Sequence, residues 1–206
     1  MTNRFIGLVL IFLLSAAANS QVGACDELSG FKQLMAGPPQ SRYEYRGRYF
    51  NYASWYSVRI PRGLVGYDGR DQGRHNGFAV RIGKDSQSVV FVSGDPNSVE
   101  YNTPREDADS YREYMEQKGR RIESQSITDA RLDGLNAVRL VIFYTCPESK
   151  AHRVYSSIIA LSHDKSSVYE IALYSPANRY ENDRAVLDQF IKSWKILSRS
   201  RWQRQR

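Results

Sequence analysis

Apolar and polar positions along this chain alternate in a way that predicts paired strands separated by turns, with two helical stretches between them. Residues 54–61 read as an early strand, in which Trp55, Tyr56, Val58 and Ile60 lead into Pro61. The proline has no ladder donor and ends the strand. Residues 77–82 and 88–93 read as strands joined by a hairpin over 83–87. Residues 120–132 and 135–146 are longer strands around Asp133-Gly134, a strong hairpin signal. The second of these is apolar at its centre, through Val138, Leu140, Val141, Ile142 and Phe143. Residues 153–161 and 167–174 follow as strands separated by a turn at 162–166.

Helical spacing occurs at two places. Thr103-Pro104-Arg105-Glu106 is a helix start, with Thr103 as cap, Pro104 at the first helical position and Glu106 closing a capping box. This helix should run to about 118 and stop at Gly119. The second, over about 180–194, places Val186, Leu187, Phe190, Ile191 and Trp194 on one face. Upstream, residues 26–35 carry a weak helical pattern that Gly37-Pro38-Pro39 stops. Residues 42–48 read as connecting chain or irregular strand. Residues 62–77, with Gly66, Gly69, Gly73 and Gly77 among charges, read as a loop. Hairpins with helices after strand pairs predict the α+β class: an antiparallel β-sheet flanked by helices.

The first twenty-five residues change the picture. One positive charge at Arg4, an apolar run over 5–14 and a small-residue stretch ending in Ala18-Asn19-Ser20 have the form of a secretory signal peptide. The apolar run is shorter than the roughly 20 residues needed to span a bilayer. The expected organisation is a signal peptide at 1–20, an N-terminal extension at 21–48, one domain at 49–197 and a basic tail at 198–206. The expected location is periplasmic or extracellular. Val22-Gly23-Ala24-Cys25 leaves open a lipoprotein anchored at Cys25.

In an exported chain, the two cysteines, Cys25 and Cys146, are expected to form a disulfide unless Cys25 is lipidated. The formal charge is +7, and loss of Arg4 with the leader leaves about +6 (7 minus 1). Such a protein is steered toward anionic partners. Outside the cell these are lipid head groups, envelope polymers or acidic proteins rather than nucleic acid. The tail concentrates the charge, with Lys192, Lys195, Arg199, Arg201, Arg204 and Arg206 around Trp202.

The opening strand Tyr56-Ser57-Val58-Arg59-Ile60-Pro61, the run Val168-Tyr169-Glu170-Ile171 and the helix end Phe190-Ile191-Lys192-Ser193-Trp194 together resemble the PsbP-like family. That family includes the extrinsic photosystem II subunit and a Ran-binding import factor. The resemblance spans about residues 49–197. It implies an α/β/α sandwich and a binding or assembly role, and it transfers no functional residue. The glycine-rich stretch after Pro61 departs from the family pattern.

Candidate chemistry is sparse. His75, His152 and His163 are scattered, with no metal-ligand spacing and no Cys/His cluster. There is no Gly-x-Ser-x-Gly, and Ser93-Gly94-Asp95 reads as a turn. The glycines of 66–77 are followed by a strand and no Gly-Lys-Ser/Thr, unlike a phosphate loop. No EF-hand spacing joins Asp68, Asp71 and Asp95. The expectation is therefore a non-enzymatic binding module, with no catalytic, cofactor or metal residues. Its partner is an unidentified protein or an anionic envelope component, with peripheral membrane contact included. The candidate contact residues are Arg62, Arg70, Arg74, His75, Arg199, Arg201 and Trp202. The alternatives are an inhibitor that blocks a partner enzyme through the 62–77 loop, and a hydrolase with an unrecognised site.

Overall fold

An eight-stranded antiparallel sheet forms the centre of the molecule in a computed structural model that describes residues 35–36, 42–69, 77–83 and 87–197. Its strands are β1 (Arg42–Tyr45), β4 (Gly66–Gly69), β5 (Gly77–Ile82), β6 (Ser88–Pro96), β7 (Arg121–Leu132), β8 (Leu135–Thr145), β9 (His152–Leu161) and β10 (Ser167–Pro176). Their spatial order is β1-β4-β5-β6-β10-β9-β8-β7. A second sheet of three strands joins β2 (Arg48–Asn51), β3 (Tyr56–Arg59) and β11 (Lys195–Ile196), with β3 in the middle. Among the described residues the long helices are α1 (Pro104–Gln117) and α2 (Tyr180–Ser193), the latter entered through a 3-10 turn at Ala177–Arg179.

Side-chain alternation sorts the main sheet into two cores. From β9, Val154, Ile158 and Ala160 face one side, while Tyr155 and Ile159 face the other. The first side is closed by Leu187 and Phe190 of α2 and by Tyr49, Tyr56 and Val58 of the small sheet. The second is closed by Ala108 and Met115 of α1. The result is the expected α+β sandwich of a sheet between helices. Burying each large apolar side chain contributes about 1.5–3 kcal/mol. Polar groups fix where α2 docks: the buried Asp183 carboxylate accepts hydrogen bonds from Ser88 of β6 (2.5 Å) and Ser175 of β10 (2.6 Å).

Local signals explain most boundaries. Thr103 Oγ1 accepts from the Glu106 amide at 3.3 Å, and Glu106 Oε2 accepts from the Asn102 amide at 2.9 Å. The Asp133-Gly134 hairpin joins β7 to β8 with Leu132 opposite Leu135. Three readings are corrected. Residues 66–69, expected in a loop, form β4, because ladders to β1 and β5 on either side hold a segment whose own composition does not favour a strand. The main sheet also takes in Arg42–Tyr45 as its edge strand β1, paired along its length with β4 and upstream of the expected domain start at 49. Ser93, Gly94 and Asp95 continue β6 rather than turning, since β10 pairs with each of them, through Glu170, Tyr169 and Val168.

Candidate functional site

Strand β2 presents Arg48 and Phe50 outward and buries Tyr49 and Asn51. Strand β3 ends on the exposed Arg59. In the antiparallel register, Arg48 stands opposite Arg59 and Phe50 opposite Ser57. Two like charges are thus directly paired across the ladder, an arrangement that opposes folding.

Two bends bring further arginines to the same place. Gly47 (φ 72°) turns the chain into β2, and its carbonyl accepts from the Ile60 amide at 2.7 Å. Gly63 (φ 86°) turns it after Pro61. A Cβ would meet no atom within 4 Å at either glycine, so the left-handed backbone, not crowding, selects glycine there. The bends enclose an open depression of about 470 Å³ lined by Arg46, Gly47, Arg48, Arg59, Ile60, Pro61, Arg62, Gly63 and Leu64. All four arginines are exposed. No carboxylate lines the depression, and none of the four is in an ion pair among the described residues. Arg48 Nη1 donates to Ser57 Oγ at 3.3 Å.

The arginine strands rest on a rigid base. Ser193, at the end of α2, accepts from the Arg59 amide at 3.0 Å and donates to its carbonyl at 3.2 Å. Beneath, Tyr56 stacks on Trp194 with ring centres 6.0 Å apart and planes 17° apart. Beside the depression Phe50 and Tyr52 are 47% and 54% exposed and stack on each other, 6.0 Å apart and within 6° of parallel. Lys195 of β11 is paired with Asp133 at 2.5 Å.

A second polar cluster lies on the opposite side, under α1. Burial pushes the Glu170 carboxyl of β10 up to about 7; the Tyr155 hydroxyl donates to it and opposes the shift, and the Asp107 and Asp95 charges add to it. Burial, then the Asp95 charge, pushes Asp107 up to about 6. Tyr111 donates to or accepts from Tyr174 beside them. With raised carboxyl values, these two acids hold their protons closer to neutrality than exposed carboxylates do.

Arg62 is the one expected contact residue that falls among the described residues. Arg70, Arg74, His75, Arg199, Arg201 and Trp202 lie outside them, as do the expected leader, Cys25 and the expected basic tail. Cys146 is buried where β8 ends. His152 and His163 are exposed; His152 Nδ1 sits 2.7 Å from Glu123 Oε1. Among the described residues, no group of three or more His, Cys, Asp or Glu side chains could hold a metal ion. No helix there is long and apolar enough to cross a membrane. Sequence reading missed Arg46, Arg48 and Arg59. The signal was present in the single Arg46-Gly47-Arg48, but it gains meaning only when β3 folds against it.

No protein-family model matches this chain, and no curated protein matches it in sequence. Solved structures do share its fold. Ran-binding protein Mog1p of Saccharomyces cerevisiae is similar with a TM-score of 0.51 at 9% identity, over 77% of this chain and 98% of that one. A Bacteroides thetaiotaomicron protein gives 0.50 at 9% identity over 75% of this chain, which spans 50% of that longer one. Cyanobacterial PsbP from Synechocystis gives 0.45 at 15% identity, over 78% of this chain and 95% of that one. The likeness to Mog1p bears out the expected fold, and at 9% identity it is the fold alone that is shared.

Proposed function

We propose that this protein is an exported, non-enzymatic binding or assembly module that holds an anionic partner on its arginine face. One observation carries the reading: Arg46, Arg48, Arg59 and Arg62 converge on one depression that, among the described residues, no carboxylate lines. Gathering unneutralised guanidinium groups opposes folding, and an anion bound there offsets that repulsion through charge-assisted, forked hydrogen bonds. The leader-like pattern of residues 1–20 supports export. Mog1p, which has this fold, is a Ran-binding protein, so in that protein the fold serves binding.

The test is retention of the mature chain on a heparin column. The Arg48→Glu/Arg59→Glu double variant should elute at clearly lower salt than a control of equal net charge, Arg105→Glu/Arg121→Glu, whose substitutions lie on α1 and β7. Equal elution of the two variants would show that net charge, not this face, governs binding. Turnover in a broad hydrolase screen that vanishes on replacing His75 would overturn the non-enzymatic reading.

A further inference from the structure

We infer that the arginine depression and the Phe50–Tyr52 pair together form a docking face for an anionic phospholipid bilayer, with lipid phosphates in the depression and the two rings at the headgroup boundary. The inference rests on the anionic-partner reading of the same face and names the class of partner. Three observations carry it.

The first is the mixed chemistry of one strand surface. Arg48 and Phe50 project from the same side of β2, two residues apart. A soluble polyanion would engage the guanidinium groups and leave the rings in water. A bilayer interface takes both, since basic residues bind anionic head groups and aromatic rings favour the boundary between head groups and acyl chains. Phe50, Tyr52 and Tyr43 are the exposed large apolar side chains of the described residues, and two of them stack here.

The second is the form of the cation. Guanidinium forks bind phosphate oxygens in pairs and are weakly hydrated, which suits a partly dehydrated interface. Lys195, the remaining cation in register on this surface, is already neutralised by Asp133. Among the described residues of the small sheet, the positive charge left available is therefore arginine and sits at the depression.

The third is where the chain leaves the small sheet. The Leu197 amide donates to the Trp55 carbonyl at 2.7 Å, which places the start of the tail beside the turn that carries Tyr52. The sequence that follows, Ser198-Arg199-Ser200-Arg201-Trp202-Gln203-Arg204-Gln205-Arg206, has four arginines, one tryptophan and no acid. It repeats the arginine-plus-aromatic chemistry of the face it leaves, in the form of a polybasic segment read by anionic membranes.

The experiment is co-sedimentation of the mature chain with phosphatidylcholine vesicles, with and without phosphatidylglycerol. The wild type should bind only the phosphatidylglycerol vesicles, and less at high salt. Arg48→Glu/Arg59→Glu should weaken that binding by more than about tenfold. Phe50→Ala/Tyr52→Ala should weaken vesicle binding several-fold while leaving heparin elution unchanged, because heparin offers no apolar boundary. Far-UV circular dichroism and urea midpoints establish that each variant is folded. If heparin retention depends on Arg48 and Arg59 but phosphatidylglycerol vesicles are ignored, the membrane assignment fails and a soluble acidic partner takes its place. Vesicle binding that survives Arg48→Glu/Arg59→Glu, or that is indifferent to loss of both rings, also overturns it. If neither heparin nor vesicles respond to the arginine changes, the anionic-partner reading falls as well.

Discussion

Arg48 and Arg59 are register partners across β2 and β3, so two positive charges occupy facing positions of one antiparallel ladder. Facing like charges destabilise a strand pair, and replacing one should relieve the repulsion by about 0.2–1 kcal/mol. Arg59→Gln is therefore expected to raise the urea midpoint while lowering affinity for polyanions. Opposite movement of the two measurements marks residues kept for binding rather than for the fold. A variant that is both less stable and unaltered in binding would assign Arg59 a purely structural role.

Phe190 tests the layer beneath. It is fully buried on α2, with its ring 6.2 Å from that of Phe78 on β5. Phe190→Ala should cost about 3–5 kcal/mol in urea denaturation, from lost transfer free energy and the cavity left behind. A loss below about 1 kcal/mol would show that this helix face is not core.

Thr103 tests the other helix. Its hydroxyl caps α1, and its removal leaves the Glu106 amide without that acceptor. Thr103→Ala should cost about 1 kcal/mol by the same measurement. Thr103→Ser, which keeps the acceptor, should cost much less.

Among the described residues, both long helices and seven of the eleven strands could be read from the chain because their signals are local. A capping box starts α1, Asp133-Gly134 turns β7 into β8, and apolar positions at helical spacing give α2 its buried face. β4 was hidden for the opposite reason: Gly66-Tyr67-Asp68-Gly69 has turn composition and becomes a strand only because β1 and β5 supply its ladder. The arginine face was hidden in the same way. Arg46 and Arg48 belong to a tyrosine-rich stretch without clear period, and Arg59 lies at a strand end. Only the β2–β3 pairing makes them neighbours of Arg62. Charge density along the sequence points instead to the tail and to Arg70 and Arg74, whose crowding is visible in one dimension.

Cys146 offers a check on export. Its backbone closes the turn after β8, donating to Ala151 at 3.0 Å and accepting from Lys150 at 2.9 Å, and its side chain is buried. Pairing with Cys25 is the expectation for an oxidising compartment. The mature protein, denatured without reductant, should then take up no maleimide and should label both cysteines after reduction. Labelling of both without reduction would overturn the pairing, and an acylated Cys25 would establish the lipoprotein instead.

Glu170 makes stability depend on pH in a direction opposite to that of a salt-bridged acid. Burial, opposed by the Tyr155 hydrogen bond and reinforced by Asp107 from α1 and Asp95 from β6, raises its carboxyl from 4.5 to about 7. The folded chain therefore holds this proton more tightly than the unfolded chain does. The resulting stabilisation is complete below the unfolded value of 4.5 and is lost as pH rises through about 7. The loss should be on the order of 1–3 kcal/mol for a half-buried group. Glu170→Gln keeps an acceptor for the Tyr155 hydroxyl and cannot ionise. The variant should match the wild type in mild acid and exceed it above neutrality, in urea titrations run across that range. Asp107, raised to about 6, shifts the same way, so a shallower decline should persist in Glu170→Gln. Wild type and variant curves that stay parallel would mean that Glu170 is hydrated and ionised in the folded protein, with α1 lifted from the strands it covers.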